Sequence, residues 1–302
     1  MPALPLPAAP SLIGVDFSSS PSRRKPIVLT SGHLQGAALR LDGWQRFDSL
    51  AAFGDWLARP GAWVGGFDLP FGLPRELVAQ LGWPVGWAAC MDQYASLSRS
   101  EIRDTFAAFC AARPAGGKFA HRACDARSGA SPSMKWVNPP VAYMLHAGVP
   151  LLRAAGLQLP AHQSVQQPAQ QPDQPDQPPN LLPNPQAAAA GPADRIALEA
   201  YPGLLARELI GNRSYKADDK ARQTPERLIA RKDIIDALEQ GRSRLGLRLR
   251  LSTAQREQLA DEASADTLDA VLCLLQAAWA SGQPRWGLPA DVDPLEGWIL
   301  SA

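Results

Sequence analysis

Residues 265 to 280 read ADTLDAVLCLLQAAWA. A helix carrying Leu268, Val271, Leu272, Cys273, Leu274, Leu275, Ala278 and Trp279 is apolar around almost its whole circumference, so it has no face to offer water and belongs inside a domain. Two acids, Asp266 and Asp269, open it. Capping of free backbone amides, helped by the positive end of the helix dipole, accounts for one of them, more naturally Asp266. Asp269 lies one turn deeper on the same side, where an ionised carboxylate costs several kcal/mol unless a cation or donor meets it.

The chain has 302 residues, is 46% hydrophobic and carries a formal net charge of +1. That composition supports a real core and gives no global electrostatic case for nucleic acid, membrane or acidic partners, so partners must be sought in local patches. Cys90, Cys110, Cys124 and Cys273 show no C-x-x-C spacing, which suggests neither a zinc site nor a disulfide framework and fits a reducing cytoplasm. The proline-rich start MPALPLPAAP has no basic region, which argues against a signal peptide, and no apolar run approaches membrane-spanning length.

The spacing of apolar and turn residues predicts strands in LIGVDF, KPIVLTSG and GAALRLDGWQRF, a helix in DSLAAFGDWLARP capped by Asp48, and a fourth strand in AWVGGFD that ends at Asp68. Residues 74 to 158 read as a helical insertion. Residues 159 to 193 are dominated by Gln and Pro and read as a disordered loop, too polar to offset their ordering entropy. Order resumes with a strand in RIALE and a helix in GLLARELIG. A further helix in TPERLIARKDIIDALEQG has Thr224 as cap, Pro225 at its first position and Gly241 at its stop. The whole is an α/β chain, a single domain over residues 10 to 302.

Three acids share one local pattern, an apolar strand followed by an acid as the strand ends: Asp16 in IGVDFS, Asp68 in GGFDLP and Glu199 in ALEAYP. Ligands of open sheets gather outside strand ends, so neighbouring strands of this kind bring the acids together beside the helix front that carries Asp266 and Asp269. Like charges that close require protons or divalent cations, and an all-oxygen donor set suits Mg²⁺ or Mn²⁺. Two such ions can activate water and stabilise the leaving oxygen of a phosphoryl displacement. Taken singly, Asp16 and Asp68 also read as turn residues, and Glu199 as an exposed strand position.

The stretches IGVDFSSSP, WVGGFDLPFGLPREL, KWVNPPVAYMLHAG, LEAYPGLLAREL, SYKADDKARQTPERL, DTLDAVLCLLQAAWA and DPLEGWIL resemble the domain-of-unknown-function family numbered 429, predicted nucleases of ribonuclease H-like fold. The resemblance covers the chain apart from the Gln/Pro-rich loop. It implies a mixed β-sheet flanked by helices and a divalent-metal-dependent nuclease or phosphodiesterase that cuts nucleic acid, DNA or RNA. Position by position it implies Asp16, Asp68, Glu199 and Asp269 as catalytic metal ligands, with Asp266 as a fifth candidate. The helical insertion and an aspartate as second acid depart from a generic ribonuclease H, which leaves the substrate open.

Basic residues exceed acidic ones between Arg113 and Lys135 and again between Arg213 and Arg250. From these patches Lys118, His121, Arg122, Lys135, Asn138, Tyr215, Lys216 and Lys220 are candidate substrate contacts, with Trp136 or Tyr215 available to stack on a base. Two other functions compete: a non-catalytic nucleic-acid-binding or adaptor protein, and an ATP-using phosphotransferase. The second lacks a glycine-rich phosphate loop after the first strand, where the chain reads DFSSSPSRR.

Overall fold

The computed structural model describes residues 11–114, 116–163 and 194–302. Three strands come first, β1 (Ser11–Asp16), β2 (Ile27–Gln35) and β3 (Ala38–Phe47), then α1 (Leu50–Leu57) and β4 (Trp63–Asp68). Helices α2 (Arg75–Gln80), α3 (Trp87–Ala95), α4 (Arg99–Ala111), α5 (Ala123–Ser128) and α6 (Val141–Ala154) fill the segment before β5 (Arg195–Glu199). The remainder is α7 (Pro202–Ile210), α8 (Pro225–Glu239), β6 (Arg248–Arg250), α9 (Thr253–Asp261) and α10 (Asp266–Ser281). Among the described residues no helix is long and apolar enough to cross a membrane.

These strands form one six-stranded mixed sheet in the order β5-β4-β1-β2-β3-β6. The β1–β2 and β2–β3 pairs are antiparallel, whereas β1–β4, β4–β5 and β3–β6 are parallel. Side chains alternate between faces, and the two faces have separate cores. Ile13, Val15, Leu29 and Phe67 join α1 and the inserted helices on one side. Leu12, Leu39, Val64 and Leu198 join α7 to α10 on the other. This three-layer arrangement explains why α10 is apolar all round: the sheet lies on one flank and α7 and α8 beyond it.

Glycines set how close α10 comes. A Cβ on Gly14 of β1 would run into the backbone at Ala270 and Leu274, and one on Gly66 of β4 into the carbonyl of Cys273. The two glycines are direct neighbours across the parallel pair. The buried Thr30 hydroxyl on β2 lies 3.0 Å from the Ala270 carbonyl and 3.2 Å from that of Gly14, bridging sheet and helix.

Several local expectations are revised. Helix α1 is capped by Ser49, whose hydroxyl accepts from the Ala52 amide, and not by Asp48. At α10 the cap residue is Ala265, in left-handed conformation, and Asp266 makes no capping bond. Glu262 reaches over instead and accepts from the Thr267 amide at 2.8 Å. The loop assigned to residues 159 to 193 begins later than expected, because Leu159 and His162 are buried and Pro160–His162 form an ordered turn. The rest of that loop, from residue 164, lies outside the described residues.

Gly14→Ala forces α10 off the sheet, because the obstruction is backbone and cannot rotate away. The expected loss of stability is at least about 3 kcal/mol, the top of the range for overpacking. Chemical denaturation of wild type and variant measures it, and a loss under about 1 kcal/mol would show that the helix does not sit this close.

Candidate functional site

The alternation that places Gly14 and Gly66 under α10 also places the residues two further on. Asp16 and Asp68 end their strands in register with each other, on the α10 side of the sheet. Both are partly buried, and among the described residues neither is met by a hydrogen-bond donor; their surroundings are apolar burial and other charges. Burial, then Asp269 and Asp68, pushes the Asp16 carboxyl well above its ordinary range. Burial pushes Asp68 up to about 7, with Asp269 and Glu199 adding to the shift and Lys216 opposing it.

Asp269, fully buried in the first turn of α10, has both oxygens engaged. One accepts from the Tyr215 hydroxyl at 2.6 Å and the other meets the Lys216 ammonium. Burial alone would lower the Lys216 pKa, but Asp269, Tyr215 and Asp16 raise it well above the ordinary lysine value. The segment carrying Tyr215 and Lys216 is fixed on both sides. Buried Arg231 of α8 donates to the Tyr215 carbonyl at 2.8 Å and to that of Ala260, and the Ala217 amide bonds to the Ala263 carbonyl. Asp266 stands at the edge of the group, pushed up to about 6 by burial and Glu262, with Ser264 and Lys25 pulling the other way.

Glu199 is set apart by one residue of register. It pairs beside Phe67, not Asp68, so it faces the inserted helices and not α10. There the Arg122 guanidinium grips it at 2.8 and 2.5 Å, and the Phe71 amide donates to it at 3.0 Å. Arg122 is itself buried and holds the equally buried Asp125 at 2.8 Å. Arg122, expected as a substrate contact, is therefore first of all the counter-ion of Glu199 and Asp125, although it also lines the cleft.

A cleft of about 790 Å³ runs over this group, lined by Asp16, Asp68, Glu199, Asp266, Arg122 and Lys216. Tyr215 lines it too, whereas Lys118, His121, Lys135 and Asn138 do not. Lys118, His121 and Asn138 are exposed elsewhere, Trp136 packs edge-on against Phe119, and Lys220 opens a short turn, Lys220–Arg222. Two cleft features escaped the sequence reading: the Arg99 guanidinium over the Tyr143 ring at 5.1 Å, and that of Arg207 over Tyr201 at 5.2 Å. Nothing in the local sequence marks either pair. The three-residue spacing of Arg122 and Asp125 was the one visible sign of a helix-bound ion pair.

Among the described residues no three His, Cys, Asp or Glu side chains are already set to hold a metal ion. The chain matches no family model, no curated protein and no solved structure.

Two measurements follow from these charges. Arg122→Met leaves Glu199 and Asp125 buried without a counter-ion and is expected to cost about 3–5 kcal/mol in denaturant unfolding, more at pH 8 than at pH 5, because burial already raises the Glu199 carboxyl and eases its protonation. Asp68 gives a dependence on pH. Its folded pKa of about 7 lies above the ordinary 3.8, so between these values the folded chain holds a proton that the unfolded chain has lost. This carboxyl therefore lowers stability as pH rises through that window. In buffer containing chelator, Asp68→Asn should flatten that fall, and an unchanged slope would show that Asp68 ionises normally.

Proposed function

We propose that this chain is a divalent-metal-dependent phosphodiesterase acting on nucleic acid, DNA or RNA, on a ribonuclease H-like fold of the kind the family numbered 429 is predicted to have. The observation that carries the reading is the in-register pair Asp16 and Asp68, two neighbouring carboxylates at the floor of a cleft with no donor of their own. Such a pair is unfavourable without a proton or a cation between its members. An antiparallel β1–β2–β3 meander with parallel β4 and β5 on the other side of β1 supports the fold.

An all-carboxylate donor set fits Mg²⁺ or Mn²⁺. Asp16 and Asp68 would hold the ion, with Asp266 close by, whereas Glu199 and Asp269 already have cations in Arg122 and Lys216. When bound, the ion supplies an activated water and stabilises charge on a phosphoryl oxygen. The chain's own groups do the rest. Lys216 presents a positive charge to a phosphate in the cleft, and the Arg99–Tyr143 and Arg207–Tyr201 plates offer stacking surfaces for bases.

Calorimetric titration of Mg²⁺ or Mn²⁺ into wild type and Asp16→Asn tests the reading, alongside cleavage of single-stranded, duplex and branched oligonucleotides. Wild type should bind and cleave, and the variant should lose at least about 100-fold in metal affinity, beyond what loss of an outer-shell partner costs. Equal binding by both proteins, or none by either, would overturn the metal site. Tight oligonucleotide binding without cleavage in any cation would favour the adaptor, a reading supported by the absence of three preset ligands among the described residues.

A further inference from the structure

The five acids expected from the sequence, Asp16, Asp68, Glu199, Asp266 and Asp269, are not equivalent at the cleft. Arg122 occupies both oxygens of Glu199, and Tyr215 with Lys216 occupies both oxygens of Asp269. Asp266, at the front of α10, lines the same cleft beside Glu262 and Lys25. What remains uncompensated is Asp16 with Asp68, a pair whose full charge is matched by one divalent ion.

Lys216 and Arg122 both rest on buried carboxylates of the site, but Lys216 is half-exposed where Arg122 is buried. Lys25 is paired with exposed Asp218 and Arg213 with exposed Asp233, as surface ions generally are. The Lys216 ammonium instead rests on a carboxylate with no solvent access, and its backbone is clamped by Arg231 on one side and Ala263 on the other. Lys216 lines the same cleft as Asp16 and Asp68. A half-exposed ammonium on the helix-borne acid, lining one cleft with two strand-borne acids, occupies the Asp269 oxygen that a second metal ion would need as a ligand.

We propose that Lys216 is the built-in second cation of this site: held on Asp269 and Tyr215, it takes the place of a second divalent ion, so the chain binds one Mg²⁺ or Mn²⁺ at Asp16 and Asp68. The lysine is then a catalytic residue that meets the substrate's phosphate directly. An ammonium carries less charge than a divalent ion and holds no water as a ligand, so its part is to neutralise the phosphate, while activation of water stays with the single metal. This inference rests on the metal-dependent reading above, and the ion count separates the two.

The experiment is the number of Mn²⁺ ions bound per chain, by calorimetry and by electron paramagnetic resonance of the metal-free full chain titrated with Mn²⁺. Wild type and Lys216→Arg should each bind one ion, with no signal from a coupled Mn²⁺ pair. Lys216→Gln frees Asp269 and should bind two. Two ions in wild type would overturn the proposal and leave the metal-dependent reading standing. One ion in both wild type and a folded Lys216→Gln would also overturn it. No ion in wild type would remove the metal-dependent reading itself, and this proposal with it. Should Lys216→Gln fail to fold, because Asp269 keeps only the Tyr215 hydroxyl, the wild-type count still decides: one ion sustains the proposal and two reject it.

Discussion

Helix α10 can lie this close to the sheet because β1 and β4 carry no side chain beneath it at Gly14 and Gly66, while the small Thr30 of β2 hydrogen-bonds the helix backbone. Everything at the cleft follows from the approach. Because strand side chains alternate, glycines under the helix commit Asp16 and Asp68, two residues further along β1 and β4, to the same face, at the level of the first turn of α10. Because α10 is enclosed on its other flank as well, Asp269 reaches the group from a fully buried position. A rigid apolar helix thus carries an acid that water does not reach, and only a cation or hydrogen-bond donors from the chain can stabilise it.

The fold meets that requirement in two ways. Where an acid is structural in its surroundings, a basic residue is built in: Arg122 for Glu199 and Asp125, Lys216 with the Tyr215 hydroxyl for Asp269. Replacing such pairs by apolar groups would not weaken the fold in principle, but removing one partner strands a buried charge. Asp16 and Asp68 receive no donor among the described residues, and burial, with the charge of neighbouring acids, pushes both carboxyls up. Native interiors seldom leave two neighbouring acids in that state, and perturbed groups in a cleft mark sites where something else is bound or transferred. Unpaired buried acid is therefore concentrated at one point, whereas the other buried polar atoms without a partner among the described residues, Ser133 Oγ, His162 Nε2 and Ser243 Oγ, are not acids.

Much of this was legible in the sequence because the relevant signals are local. Short apolar runs ending in Asp16, Asp68 and Glu199 appear as β1, β4 and β5, and α8 starts at Pro225 after Thr224, whose side chain makes no capping bond. Strand β6 was missed because three residues carry no usable periodicity; it exists through pairing with β3. The helix caps were misassigned for a related reason. Asp48, Ser49, Asp266 and Glu262 are all chemically able to cap, and backbone geometry chooses Ser49 and Glu262.

By itself the sequence determined the residue types at each strand end, the buried character of α10 and the chemistry available to the cleft, since these depend on side-chain identity and near-neighbour spacing. Only the tertiary structure decided how the acids divide. Register between β4 and β5 turns Glu199 toward Arg122, while register between β1 and β4 puts Asp16 beside Asp68. A strand side chain changes face with a shift of one residue, and that shift is set by pairing between distant segments, Asp16 with Asp68 in one case and Phe67 with Glu199 in the other, which no local pattern records. The same holds for Lys216, separated in sequence from Asp269 and joined to it because Arg231 and Ala263 pin its segment beside the front of α10.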